Sequence, residues 1–62
     1  SDADDAHNQR LVRRQEILAQ AWQAHLQDAR GADDFVERWY RARASALTAA
    51  GFEPIWLQPR AG

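Results

Sequence analysis

The 62-residue chain has no cysteine, no methionine and no lysine, only two prolines and three glycines, and no apolar run near the length of a membrane span. Each gap excludes something. Without cysteine there is no disulfide and no thiolate zinc site, the two usual supports of a domain this small. No segment supplies the roughly 20 consecutive apolar residues that a spanning helix needs, and no basic start followed by an apolar stretch marks a secretory signal. The chain therefore reads as soluble and cytoplasmic. All eight basic residues are arginine, and 13 of the 28 hydrophobic residues are alanine, a usage that points to GC-rich bacterial coding. Only 15 larger apolar side chains remain to build a core, too few for comfort, so association with another chain is the expected way to bury more surface. The chain opens Ser1-Asp2-Ala3-Asp4-Asp5 without an initiator methionine and closes Pro59-Arg60-Ala61-Gly62, which reads as a segment excised from a longer polypeptide.

Glycine and proline are absent from Ala6 to Arg30, where alanine, glutamine, leucine, arginine and glutamate predominate. These are strong helix formers, and they predict a helix over 6–30, about 37 Å long at 1.5 Å per residue. Residues 1–5 are expected to be a disordered acidic leader, with Asp2, Asp4 and Asp5 placed where the helix dipole favours negative charge. Leu11, Leu18, Trp22, Leu26 and Ala29 fall on one stripe, with Gln15 and His25 at its margins. Gly31 is suited to the left-handed conformation that ends the helix.

A second helix is expected over 34–50. Asp34 with Glu37 has capping-box spacing, and Asp34/Arg38 and Glu37/Arg41 are i,i+4 pairs with the acid first. Gly51 is the expected C′ residue of a Schellman ending in which Phe52 meets Leu47. The short connection makes the helices antiparallel. Phe35, Trp39, Ala42, Ala46 and Ala49 form one stripe, and Val36, Tyr40 and Leu47 widen it to an arc of roughly 180°, more than one partner helix covers. The tail 52–58 sets Ile55, Trp56 and Leu57 between two prolines, either as a lid on the core or as a segment recognised by a partner. Residues 59–62 have the composition of a linker.

The expected fold is thus all-α: an antiparallel two-helix hairpin over 6–58 with an apolar, proline-flanked tail, completed to a four-helix bundle by association. Leu11, Leu18, Trp22, Phe35 and Ala46 are expected in the intrachain core. Val36, Trp39, Tyr40, Arg43, Leu47, Ile55, Trp56 and Leu57 are the expected partner interface.

Catalytic signals are weak. His7 and His25 lie about 27 Å apart on one helix, Ser45 has no base nearby in sequence, and no glycine-rich phosphate loop is present. Paired acids at helix starts read as caps and dipole partners rather than metal ligands. No catalytic residue, metal ligand or cofactor is expected. Arg10, Arg13, Arg14 and Arg41 leave a small dimeric nucleic-acid-binding regulator as an alternative, although the net charge of −1 and the scatter of the arginines around both helices count against it. Arg14 and Arg43 stand apart, since each borders an apolar stripe where its stem can lie on aromatic surface.

In architecture alone, the hairpin resembles small bacterial proteins that dimerise into antiparallel four-helix bundles. It likewise resembles the paired-helix docking domains at subunit termini of modular polyketide and peptide synthases. That resemblance implies a non-catalytic protein–protein interaction module whose partner is a second copy or a cognate helical chain, and it carries no site residues. An accessory subunit of an enzyme complex is a further alternative.

Overall fold

The computed structural model describes residues 1–59, and from residue 60 onward the linker-like end lies outside the described residues. Helix α1 spans Asp2–Ala29 and α2 spans Phe35–Ala49; a 3-10 turn, Pro54–Leu57, follows and is here called the strap together with Glu53 and Gln58. The chain is a helical hairpin with the strap laid across it, 45 × 22 × 19 Å overall.

Helix α1 starts at Asp2, so the expected leader is helical. Ser1 is the N-cap: its hydroxyl accepts the Asp4 N–H at 3.4 Å and its carbonyl the Asp5 N–H at 3.0 Å, while three acids occupy the first turn. A capping serine and charges matched to the dipole together carry the helix four residues beyond the expected start. At the other end the helix stops at Ala29. Arg30 is extended (φ −58°, ψ 126°), Gly31 has φ +85°, and the Ala32 N–H donates to the Ala29 carbonyl at 3.0 Å. This is a type II turn, in which the positive φ falls on the third residue and suits glycine. Gly31 is left-handed as expected, but within a turn that starts one residue early.

Asp34 caps α2 through its backbone alone, its carbonyl accepting the Arg38 N–H at 3.0 Å. With φ −101° and ψ 32° it is outside the extended region from which an N-cap carboxylate reaches the next turn, and no capping box forms. The carboxylate lies instead 3.9 Å from both Arg38 and Arg41, so Arg41 pairs with Asp34 rather than with Glu37. The C-terminus of α2 matches its expectation. The Phe52 N–H donates to Leu47 O (3.0 Å), the Gly51 N–H to Thr48 O (2.9 Å), and Gly51 has φ +87°, which is the Schellman pattern.

The Schellman turn throws Phe52 back onto the hairpin, where it joins Ile17 and Leu47 as a buried cluster with Leu18, Ala46, Trp56 and Leu57 packed around it. Leu47 is the best buried side chain, at 0% exposure. Toward the helical turn a second layer is aromatic. His25 is buried between Trp22, Phe35 and Trp39, with ring centroids 4.3 to 6.0 Å apart, and its Nε2–H donates to the Phe35 carbonyl at 2.9 Å.

The inward face of α1 runs through Arg14, Ile17, His25 and Ala29, rotated by roughly two-thirds of a residue's 100° step from the leucine stripe. Leu11, Leu18, Trp22 and Leu26 flank it half-buried, as do Phe35 and Ala46 of α2. Ile17 was absent from the expected core. Arg14 on that face carries its guanidinium to the Trp56 and Gln58 carbonyls.

Candidate interaction surfaces

The eight expected interface residues separate into two groups. Arg43, Leu47, Trp56 and Leu57 converge where the strap crosses the hairpin, and there Leu47 and Arg43 are buried while Trp56 and Leu57 are half-buried. Leu47 therefore belongs to the core of the single chain and not to an outward face. The reason is its position three residues before the cap, where the Schellman turn brings Phe52 over it. Trp39 also turns inward, edge-on to Trp22 at 4.9 Å. Val36 and Tyr40, one turn apart on α2, are 58% and 50% exposed, and Ile55 on the strap is 67% exposed.

The strap is held by charge as much as by apolar contact. Arg14 Nε donates to the Trp56 carbonyl (2.7 Å) and its Nη2 to the Gln58 carbonyl (3.0 Å), while Arg43 Nη1 donates to the Leu57 carbonyl. Three successive carbonyls leaving the 3-10 turn thus meet guanidinium groups from both helices. These are the acceptors a helix end leaves without internal partners, and a buried guanidinium needs acceptors in return. Arg14 and Arg43 are only 5% and 6% exposed, and the arginine stems cross the apolar surface to reach the carbonyls. Arg10 adds a third contact, its guanidinium 4.7 Å from the Phe52 ring centroid and 5.2 Å from that of Trp56, within cation–π range. His7 meets the same Trp56 ring at 5.6 Å.

Arg14 and Arg43 were legible as arginines bordering apolar stripes, but their common target was not. Arg10 was singled out only as one of the arginines that suggested nucleic-acid contact, not for the strap. Of the four arginines that suggested nucleic-acid contact, Arg10 and Arg14 are engaged at the strap, Arg13 lies 3.6 Å from Glu16, and Arg41 is paired with Asp34. They make no single basic face. Both histidines contact aromatic rings on opposite halves of α1, so no paired acid–base geometry arises from them. Among the described residues no group of three or more His, Asp or Glu side chains is arranged to hold a metal ion, and no helix is long and apolar enough to cross a membrane.

No protein-family model, curated protein or solved structure matches the chain.

Proposed function

We propose that this chain is a non-catalytic protein–protein interaction module, a docking or dimerisation element whose hairpin pairs with a second helical hairpin, its own copy or a cognate chain, in a four-helix arrangement. The observation that carries this reading is the imbalance of burial. Among the described residues only Ile17, Ala29, Leu47 and Phe52 are buried apolar residues, whereas Val36 and Tyr40 stay exposed one above the other on α2. Tyrosine is enriched among residues that dominate binding energy, and a pair at i,i+4 on one helix is the minimal ridge for packing against another helix. Glu37, Arg38 and Arg41 on the same helix supply charges at the rim, where they select partners more than they add affinity. A junction between subunits of a bacterial, cytoplasmic multienzyme assembly is the setting that the hairpin architecture and the composition support.

Sedimentation at two concentrations tests this directly, with and without Val36→Ser and Tyr40→Ser together. Association that is weakened at least tenfold in the double variant while the helical circular dichroism signal persists is the expected result. If the wild-type chain alone remains a monomer, the partner is a different protein. A double variant that associates as strongly as the wild type would overturn the assignment of this face.

A further inference from the structure

The strap lies on the hairpin without being sunk into it. None of Pro54–Leu57 is buried, and at the start of the turn the Trp56 N–H donates to Glu53 O at 2.9 Å. What holds it comes from the hairpin: guanidinium groups on three carbonyls, and the Ile17–Leu47–Phe52 cluster under Trp56 and Leu57. An element with few buried apolar groups and backbone groups bonded to other elements opens before the helices do. The groove it fills also has the properties of a peptide site: donors that grip main-chain carbonyls, with an apolar floor that selects a tryptophan–leucine pair. The groove distinguishes the strap of its own chain from that of another copy only through effective concentration. Glu53 is extended (φ −71°, ψ 159°) ahead of Pro54, so the strap joins the buried Phe52 through one extended residue.

We infer that this groove is a peptide-binding site whose ligand is the 53–58 segment, supplied in cis by the chain itself and in trans by a second copy, so that two chains associate by exchanging straps. The inference rests on the reading of the chain as an interaction module and names both its partner and the contacting segment. It uses a surface separate from Val36 and Tyr40.

A fluorescein-labelled peptide of residues 52–59, titrated with the full-length Trp56→Ala chain and followed by anisotropy, tests the groove. Saturable binding is expected, weakened at least tenfold by adding Arg43→Gln to the chain, and competed by the unlabelled peptide but not by its Trp56→Ala version. Native mass spectrometry of the Trp56→Ala chain mixed with the Arg43→Gln chain tests the exchange, since the first keeps an intact groove and the second an intact strap. At equal concentrations a mixed dimer more than twice as abundant as either homodimer, beyond what random pairing gives, is expected. Absent binding, binding indifferent to Arg43 or to the peptide's tryptophan, or a mixture that stays monomeric overturns the inference. So does loss of helical signal in either variant, because strap and hairpin would then be one folding unit. Dimers of the wild-type chain that depend on Val36 and Tyr40 would leave the interaction reading standing even if the peptide failed to bind.

Discussion

At the scale of single residues, the contrast between Leu47 and Arg43 shows how the same helix face serves two kinds of burial. Leu47 is enclosed by Ile17 and Phe52, and shortening it leaves a void at a fully buried position. Leu47→Ala is expected to cost about 2–5 kcal/mol, enough to unfold a domain with so small a core, and urea denaturation followed by circular dichroism checks it. Arg43 is buried for its charge-assisted bond to the Leu57 carbonyl. Arg43→Gln forfeits that bond, worth about 1.5–3 kcal/mol, and the loss falls on strap opening rather than on the hairpin. Amide hydrogen exchange should therefore rise roughly tenfold to a hundredfold at Trp56, while amides in the middle of α2 keep their protection. Equal acceleration in both places would show that the strap does not open separately.

At the scale of elements, the ends of the helices were read with different success. The Schellman ending of α2 was legible because Gly51, Phe52 and Leu47 stand in a fixed local relation, and local geometry is what spacing encodes. The start of α2 was not, since Asp34 had two possible uses. Its carboxylate chose Arg38 and Arg41 over the helix N–H groups, and that choice depends on the turn preceding it. Gly31 and Gly51 both have positive φ, and at both an added Cβ would meet nothing within 4 Å. Steric room is thus available and the backbone conformation alone is penalised. Gly51→Ala and Gly31→Ala are each expected to cost about 1–2 kcal/mol, lowering the melting temperature by roughly 4–8 °C per kcal/mol, with no change in helix content at low temperature. The absence of any loss at Gly51 would mean that the Schellman turn is not kept in solution.

For the whole molecule, an elongated hairpin of 45 × 22 × 19 Å has much surface for its volume and little interior. Association adds buried area that the single chain lacks, and mass action then ties stability to concentration. The melting temperature of the wild-type chain is expected to rise with protein concentration, and that of the Val36→Ser, Tyr40→Ser double variant to rise less steeply. A melting temperature independent of concentration in both proteins would remove self-association as a source of stability.

The sequence by itself determined what depends on near neighbours: two amphipathic helices, their antiparallel hairpin, the turn glycines and the Schellman cap all follow from spacing within a few residues. Tertiary structure decided the roles of residues far apart in the chain. Arg14 and Trp56 are separated by 42 positions, and nothing in their local patterns says that the guanidinium will meet the strap's carbonyls. Those carbonyls are backbone groups, which every residue carries, so no side-chain pattern marks them as partners. In the packed hairpin Arg14 and Ile17 of α1 and Leu47 of α2 are buried, while Val36 and Tyr40 stay outside. Helical periodicity defines an apolar arc, but only the packed partners select which part of it is covered.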